Sequence, residues 1–479
     1  MKSITKNSIF YLIYTALNVI FPFVTGVYVS HILLETYIGE AEAAKNIAQY
    51  FVILAYLGIP TYGLREIAKA RNNKEELNKV FSELAVINFI STAVFLGIYF
   101  ILILSVPAYR SNLHLYIVTG GSIALNFLNI SWLYEGLEEF SFICIRNLIF
   151  KVLCFILLVI FVRKNDDYMM YAALTVIGLG GNYILNVFKA PKFVKLQLKN
   201  LNLKRHLKSI FFLVVVNLAI EIYTMVDITM LKFLANNESI AFYSYGSKIY
   251  KIFIYVLNAF TMVVVPRLSF LYKEKNYSRF NQLLTKTLTI ILLLAIPMII
   301  GVYFTSDYLL TAIYGQSYIK SAQVMKILSI IFAISPVGYL LGSRVMLVSG
   351  NENKMIIPVA VGAVINVICN YFLIKSYQEI GAAIASVISE FVVAFIYIVI
   401  AKKYYKLDSF FMNFMKIIIA SLFMTGVLVV LMNNNEPVTL VKTIKEILLG
   451  SFSYFTMLFV FNERTVKEYS GVLINRVIG

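Results

Sequence analysis

Long apolar runs separated by short polar stretches follow one another along the whole chain. Most of them are close to or above the roughly 20 residues that an α-helix needs to cross the hydrocarbon core of a bilayer. The pattern therefore predicts an all-α polytopic membrane protein with about 14 transmembrane helices. The fourteen runs lie near residues 7–30, 45–63, 80–106, 113–134, 141–162, 168–188, 209–234, 240–266, 283–305, 322–343, 355–374, 380–401, 412–432 and 442–462.

The composition excludes several other classes of protein. Of the 479 residues, 60% are hydrophobic and only 14% are charged, whereas soluble domains carry about 25% charged residues. A soluble enzyme, a disordered protein and a disulfide-rich secreted module are excluded. The formal net charge of +17 indicates basic cytoplasmic loops in a chain of this type, and no nucleic-acid partner is expected.

The basic residues are divided unequally between the two sides of the predicted helices. Of the 42 Lys and Arg residues, 29 lie on the side of the N-terminus, 9 on the opposite side and 4 inside predicted spans. Cytoplasmic loops carry the excess of Lys and Arg. We therefore expect a multi-pass protein of the cell (cytoplasmic or inner) membrane with both termini in the cytoplasm.

The two halves of the chain resemble each other at an offset of about 202 residues. The tripeptide at 8–10 opens the first helix and recurs at 209–211 at the start of the seventh, and Arg65 and Arg267 follow the second and eighth helices. Parallel repeats of this kind recur in transporters. The basic stretch 189–208 between them is either a hinge-side linker or a solvated loop. The predicted domains are a six-helix bundle at 1–206, a second at 207–406, and helices 13 and 14 with a short cytoplasmic tail at 407–479.

The chain shows no motif for metal binding, nucleotide hydrolysis or group transfer. Its three cysteines lie in apolar stretches and its three histidines are far apart, so neither disulfides nor a metal site is expected. A Gly-rich phosphate loop of the GxxxxGK[ST] kind is missing from the sequence. We therefore expect no cofactor and no enzymatic activity.

The eighth helix carries the clearest stripe of polar and aromatic residues. Tyr245, Lys248, Lys251, Tyr255 and Asn258 recur at spacings of 3, 3, 4 and 3 residues, which favours a common helix face. Charges inside a span indicate a functional cavity by default. Such a face would attract an anion and offer rings for stacking on sugars. In the alternative interpretation, the lysines reach the membrane interface or pair with carboxylates.

Further polar residues lie on the first and seventh helices. Asn18 belongs to a milder polar stripe on the first helix, which the repeat pairs with the seventh. On the seventh helix, Glu221 and Asp227 are six residues apart and therefore point in different directions. Asp227 either accepts a cation or proton, or neutralises Lys248 or Lys251.

Several arginines lie near predicted cytoplasmic helix ends. Arg65, Arg146 and Arg267 occupy such positions. They either contact membrane phosphates or form a site for a pyrophosphate.

Four segments of the sequence form recognisable motifs. They are YGLREIA at 62–68, WLYEGLE at 132–138 with Arg146-Asn147, IYTMVD at 222–227 and YSYGSKI at 243–249. Together they resemble the Wzx polysaccharide flippases, in the polysaccharide transport branch of the multidrug/oligosaccharidyl-lipid/polysaccharide exporter superfamily. The resemblance extends in order over the first twelve predicted helices and is weaker in the last two.

The resemblance implies a V-shaped pair of six-helix bundles around a cationic cavity that opens alternately to each side. The implied substrate is an undecaprenyl-pyrophosphate-linked oligosaccharide, flipped outward for O-antigen, capsule or a related polymer. Asp227 or Glu221 would couple transport to a proton or sodium gradient. The expected substrate-binding residues are Lys248, Lys251, Arg65, Arg146, Arg267, Tyr245, Tyr255 and Asn18. Of the expected residues, only Arg65, Arg146, Asp227, Tyr245 and Lys248 lie within the motifs.

Two other functions compete with flipping. An ion-coupled multidrug-type exporter of the same superfamily would carry mainly acidic residues in its cavity. The predicted spans hold four basic residues (Lys151, Lys248, Lys251 and Lys326) and three acidic ones (Glu221, Asp227 and Glu390), which favours an anionic cargo slightly. A membrane oligosaccharide polymerase or ligase would need a sizeable outward loop, and the outward connections here are short.

Overall fold

The computed structural model describes residues 4–407, 410–433, 439–463 and 467. Within these residues the chain forms twenty α-helices, short 3₁₀ and π-helical turns, and no strand. The predicted all-α class is confirmed. The helices are α1 (Ile4–Ser30), α2 (Glu35–Tyr56), α3 (Ile59–Ala70), α4 (Lys74–Ser105), α5 (Pro107–Arg110), α6 (Leu113–Ala124), α7 (Ser131–Gly136), α8 (Phe140–Phe161), α9 (Tyr168–Gly180), α10 (Ile184–Lys189), α11 (Lys204–Leu234), α12 (Asn237–Val263), α13 (Val265–Lys273), α14 (Tyr277–Tyr314), α15 (Ile319–Ser329), α16 (Ile331–Gly338), α17 (Val345–Val348), α18 (Ile356–Ala401), α19 (Phe410–Met432) and α20 (Leu440–Val460).

Twelve helical segments of the described residues are long and apolar enough to cross a membrane. The predicted count of fourteen is not confirmed. The predicted seventh segment corresponds to α11, which is not among the twelve, and the predicted eleventh and twelfth segments both fall within α18.

The long helix α18 consists of two antiparallel arms. Gln378 has non-helical backbone angles, with φ 49° and ψ −124°. On either side of it, the Asn366 amide donates to the Ser389 hydroxyl at 3.1 Å, and the Tyr397 hydroxyl donates to the Met355 carbonyl at 3.1 Å. These pairs join residues at increasing distance from Gln378, as in a helical hairpin. The arms match the predicted segments 355–374 and 380–401.

The chain forms two compact units that divide between Ala241 and Phe242, inside α12. The helix α11, which the sequence repeat assigns to the second bundle, packs against α2 in the first unit: Asn46 donates to the Met225 carbonyl at 3.1 Å and accepts from the Thr229 hydroxyl at 2.8 Å. The boundaries predicted from the repeat describe sequence similarity and stay predictions.

The two units contain matching breaks in their helices. Pro60 lies in the first turn of α3, directly after the break that follows α2, and Pro266 lies in the first turn of α13, directly after the break that follows α12. A proline fits there because the first helical turn needs no amide donor. In the register that pairs these prolines, Arg267 follows its proline directly, whereas Arg65 comes five residues after its own. The predicted equivalence of Arg65 and Arg267 is therefore not supported by these breaks.

The two motifs at 62–68 and 132–138 pack against each other through α3 and α7. A Cβ on Gly63 would lie 2.9 Å from the ring of Trp132, which is buried. On the same interface, a Cβ on Gly136 would lie 2.6 Å from the Ile67 side chain. Both glycines are thus required by close helix packing, as is common in membrane proteins.

A buried ion pair connects α2 with α11. The Lys232 ammonium lies 2.9 Å from both carboxylate oxygens of Glu40, and Asn237 also donates to this carboxylate. The apolar run predicted a helix from residue 45, but α2 begins at Glu35, and Glu40 and Glu42 are buried within it. Hydropathy alone misses this extension because a paired carboxylate can be buried where an unpaired one cannot.

The basic stretch before α11 is docked on α4 through its backbone, while most of its side chains are exposed. Its backbone amides at residues 195, 197 and 202 donate to the side chains of Asn78, Ser82 and Glu83 at 2.9, 2.8 and 2.7 Å. The fully buried Glu83 also accepts from Arg205 and contacts His206 Nε2 at 2.8 Å. The Tyr62 hydroxyl lies 2.8 Å from His206 Nδ1.

We predict that Glu83→Ala releases this stretch. The substitution leaves several buried donors without their acceptor, at a cost of about 1–3 kcal/mol for each group. Cleavage by trypsin at the lysines and arginine between residues 195 and 205 should accelerate about tenfold or more, measured by gel densitometry of intact chain against time.

Glu76→Ala is the matched control, because Glu76 pairs with the same Arg205 at 2.9 Å but is 41% exposed. It should change the cleavage rate little. Equal rates for both variants would contradict the anchoring role of Glu83.

Candidate functional site

Arg146 is a buried cation inside the first unit. It lies in the second turn of α8 and is 2% exposed. Its Nη2 donates to the Ser131 hydroxyl at 3.2 Å, and its guanidinium carbon lies 5.6 Å and 5.8 Å from the ring centroids of Phe142 and Tyr183. Its Nε and Nη1 have no hydrogen-bond partner among the described residues. Buried donors without acceptors are costly, so this guanidinium is suited to receive an anion.

A series of hydrogen-bonded polar side chains extends from Arg146 towards α2. The Ser131 hydroxyl donates to the Asn129 amide oxygen at 2.7 Å, and the Asn129 amide nitrogen donates to the Tyr56 hydroxyl. The Tyr56 hydroxyl in turn lies 3.5 Å from that of Tyr183. Hydroxyl and amide groups held this way can turn towards a polar ligand.

Lys151 adds a second buried cation on α8. It is 5% exposed, and its ammonium donates to the Leu17 carbonyl at 2.9 Å and to the Asn18 amide oxygen at 2.7 Å. Asn18 also hydrogen-bonds Tyr14, which interacts electrostatically with Arg146. Asn18 itself is exposed, so this group of residues reaches the surface of the unit.

We call these residues the N-terminal polar cluster, and Arg146 and Asn18 are the predicted site residues that it contains. Lys151 was predicted only as an isolated charge inside a span. The residues of the cluster are Tyr14, Asn18, Tyr56, Asn129, Ser131, Arg146, Lys151 and Tyr183.

The tyrosines of the cluster were missed by the sequence analysis. Tyr14, Tyr56 and Tyr183 come from three different helical segments of an aromatic-rich chain. No spacing along the chain connects them. The available signal was the proximity of Tyr14 to Asn18, four residues apart and therefore on the same face of α1.

The predicted stripe on α12 is not one uniform face. Tyr245 is fully buried, with its ring centroid 4.6 Å and 4.8 Å from those of Tyr314 and Tyr318. Lys248 is half-buried with its ammonium 4.2 Å from the Tyr245 centroid. Lys251 and Tyr255 are exposed. Steps of three residues fall about 60° short of a full turn, so the stripe rotates out of the core along the helix.

The other two predicted arginines lie at exposed positions. Arg65 on α3 is 57% exposed and forms an ion pair with Glu66 at 3.1 Å. Arg267 on α13 is also exposed. Neither shares the buried surroundings of Arg146.

The two predicted acidic residues differ in burial. Asp227 is 6% exposed and lies close enough to Tyr50 of α2 to interact with it electrostatically. Glu221 is half-buried, and its backbone carbonyl accepts from the Thr224 hydroxyl at 3.0 Å. Asp227 thus joins the polar contacts between α2 and α11.

The fold of this chain is similar to that of several solved membrane proteins. Lipid II flippase MurJ in an inward closed conformation aligns with a TM-score of 0.67 at 17% identity, over 89% of this chain and 96% of MurJ. A multidrug resistance transporter of the MATE family in an inward-facing conformation aligns with a TM-score of 0.64 at 15% identity, over 80% of this chain and 93% of the transporter. The fold is therefore that of a multi-span transporter shared by MurJ and MATE proteins.

Sequence comparison narrows this class. The profile of the "Polysaccharide biosynthesis protein" family matches residues 4–272, and that of "Lipid II flippase MurJ" matches residues 139–449. A Shigella dysenteriae protein named "Putative O-antigen transporter" is 22% identical over 80% of this chain and 96% of its own length. The chain belongs to the polysaccharide biosynthesis protein family and, over its second match, to the MurJ family. The resemblance stated from the motifs is confirmed.

We predict that Asn18→Ala destabilises the first unit. The Lys151 ammonium would lose an acceptor inside the protein, at a cost of about 1.5–3 kcal/mol for a hydrogen bond to a charged group. The midpoint of thermal unfolding in detergent should fall by several degrees. Asn18→Asp, which keeps an acceptor, should preserve it.

Thr15→Ala is the control on the same helix, because among the described residues the Thr15 hydroxyl bonds only the Tyr11 carbonyl, one turn earlier, and Thr15 is exposed. If Asn18→Ala and Thr15→Ala lower the midpoint equally, the Asn18–Lys151 contact has no special role.

Proposed function

We propose that the protein is a flippase that moves undecaprenyl-pyrophosphate-linked oligosaccharides across the cytoplasmic membrane by alternating access, for surface polysaccharide biosynthesis. Family membership and the O-antigen transporter relatives support the substrate class. The observation that carries the proposal is the buried Arg146, whose Nε and Nη1 have no hydrogen-bond partner in the described part of the chain and suit a pyrophosphate.

In this mechanism the N-terminal polar cluster holds the charged end of the substrate. Arg146 donates to phosphate oxygens through the planar fork that favours bidentate contacts. Lys151 adds positive charge, and Tyr14 and Tyr183 supply hydroxyls and ring faces for the first sugars. Burial makes donors without an acceptor costly, and the same burial strengthens their hydrogen bonds to an anion that enters the cluster.

Coupling to an ion gradient and the orientation in the membrane are further parts of the proposal. The buried Asp227, or Glu221, would bind a proton or a sodium ion. The excess of basic residues in alternate connections supports an orientation with both termini in the cytoplasm. A lipid-linked substrate made in the cytoplasm would then enter from the side of the termini.

The multidrug-type exporter is the second candidate, and the fold likeness to MATE transporters favours it. A pocket for cationic drugs needs uncompensated acidic groups, however, whereas the N-terminal polar cluster contains two buried cations. The relatives are named as transporters, so we do not propose a polymerase or ligase activity.

Flipping by Arg146 variants tests the function directly. Purified protein is reconstituted in vesicles with a fluorescent undecaprenyl-pyrophosphate-linked oligosaccharide, and a membrane-impermeant quencher reports the lipid on the outer leaflet. We expect Arg146→Gln to slow flipping about tenfold or more, because the loss of hydrogen bonds to a charged group is worth about 1.5–3 kcal/mol each. Arg146→Lys should retain part of the rate.

Lys192→Gln removes one exposed positive charge outside the cluster and should flip at the wild-type rate. Wild-type vesicles that flip no faster than protein-free vesicles would contradict the proposed function. A wild-type rate in Arg146→Gln would contradict the role of Arg146 alone.

We also predict that neutralising Lys248 and Lys251 together, as Lys248→Gln/Lys251→Gln, abolishes surface polysaccharide while the protein stays inserted and abundant. The physical reason is the loss of two charges from α12 that would attract an anionic substrate. Gel analysis of extracted polysaccharide, with an immunoblot of the membrane fraction, measures both outcomes. Normal polymer in the double variant would remove these lysines from the transport site.

A further inference from the structure

A cleft in the second unit lies where the ends of several long helices meet. It has a volume of about 700 Å³ and is lined by residues at the end of α13, the start of α14 and the turn that follows α18. Each of these segments belongs to a candidate membrane span or directly follows one. The ends of membrane-spanning helices lie at the level of the lipid headgroups. The cleft therefore opens at one of the two membrane surfaces.

Positive charge is concentrated in the wall of this cleft. Lys402, Lys403 and Lys406 line it and are exposed. None of the three forms an ion pair with an acidic side chain in the described part of the chain. Asp408 follows closely in the sequence but lies outside the described residues. Even with this aspartate counted, the segment has an excess of positive charge.

Tyrosines and a backbone contact give the cleft a defined shape. The ring of Tyr272 lies 5.6 Å from that of Tyr277 and 5.5 Å from that of Phe280, centroid to centroid. The Lys406 amide donates to the Asn281 side chain at 3.1 Å, which ties the lysine-bearing turn to α14. Four tyrosines (Tyr272, Tyr277, Tyr404 and Tyr405) and the three lysines thus line one space.

We propose that this cleft binds the phosphate-bearing headgroup of an anionic membrane phospholipid. Its volume falls in the roughly 300–1,000 Å³ range of small-molecule sites. Tyrosines are enriched at membrane interfaces, and basic pockets between membrane helices bind anionic lipid headgroups. The site uses none of the residues of the N-terminal polar cluster, so it goes beyond the proposed flipping and does not depend on it.

Exposed apolar residues close in sequence to the cleft-lining segments favour a lipid over a soluble phosphate. Phe270 on α13 is 58% exposed, and Phe411 at the start of α19 is 73% exposed. Both lie within a few residues of the cleft-lining segments along the chain. An acyl chain attached to the bound headgroup would cover such rings, whereas a free phosphate would leave them bare.

The test compares lipid retention by the full-length protein. Wild type and Lys402→Gln/Lys403→Gln/Lys406→Gln are reconstituted in nanodiscs of equal parts phosphatidylglycerol and phosphatidylcholine, released into mild detergent and analysed by native mass spectrometry. We expect wild type to retain phosphatidylglycerol over phosphatidylcholine, and the triple variant to lose that preference about tenfold, since each lysine near an anionic headgroup contributes several-fold to affinity. The variant Lys402→Arg/Lys403→Arg/Lys406→Arg should keep it.

The matched control is Lys192→Gln/Lys195→Gln/Lys199→Gln, which removes three exposed lysines from the first unit and should retain the wild-type preference. Equal retention of phosphatidylglycerol by wild type and the cleft variant would overturn the proposal. Displacement of the lipid by millimolar inorganic phosphate, or no preference in wild type, would also overturn it. Vesicle flipping by the cleft variant is a separate measurement, so failure here leaves the proposed flipping untouched.

Discussion

The cost of burying a charge inside the protein, away from water, is the constraint on which this structure depends. A charge placed there must be paired, solvated by polar groups or reserved for a ligand. Lys232 meets this constraint by pairing with Glu40 between α2 and α11. Arg146 meets it only in part. One hydroxyl accepts from its guanidinium, two rings lie near it and Glu135 interacts with it electrostatically, but Nε and Nη1 have no hydrogen-bond partner among the described residues. This difference separates a structural charge from a candidate binding site.

The same constraint explains which features the sequence could predict. Fourteen apolar runs were enough for the fold class, because hydropathy reports directly on lipid exposure. The beginning of α2 was placed too late, since the partner of Glu40 lies 192 residues away. The docked segment before α11 was equally hidden, because its acceptors on α4 precede it by more than a hundred residues.

Motifs and helical stripes also predict less than the surroundings of each side chain in the structure. The motifs at 62–68 and 132–138 point correctly to the family, yet Gly63, Trp132 and Gly136 serve helix packing. Arg146, which lies near the second motif in the sequence, is the motif-associated residue that enters a buried polar cluster. The α12 stripe had the clearest sequence signal, but its buried member Tyr245 belongs to an aromatic core. The spacing of residues along a helix predicts where their side chains point only when the rotation accumulated over successive steps is counted.

Charged residues thus serve three different purposes in the described chain. Paired ones such as Glu40 and Glu83 hold helices and the linker segment together. Buried cations with polar neighbours, Arg146 and Lys151, form the candidate substrate site. Exposed lysines at helix ends, such as Lys403, form a basic surface where the headgroups lie. Burial and interaction partners assign a charged residue to one of these three groups, whereas its residue type alone does not.

The most direct test of the central claim is the affinity of the purified protein for undecaprenyl pyrophosphate, measured by microscale thermophoresis with wild type and Arg146→Gln. Undecaprenol, which has the same tail without phosphates, serves as the reference ligand. The account predicts that wild type prefers the pyrophosphate and that Arg146→Gln loses about tenfold or more of that affinity, with undecaprenol binding unchanged. Equal affinity of both proteins for the pyrophosphate would contradict it.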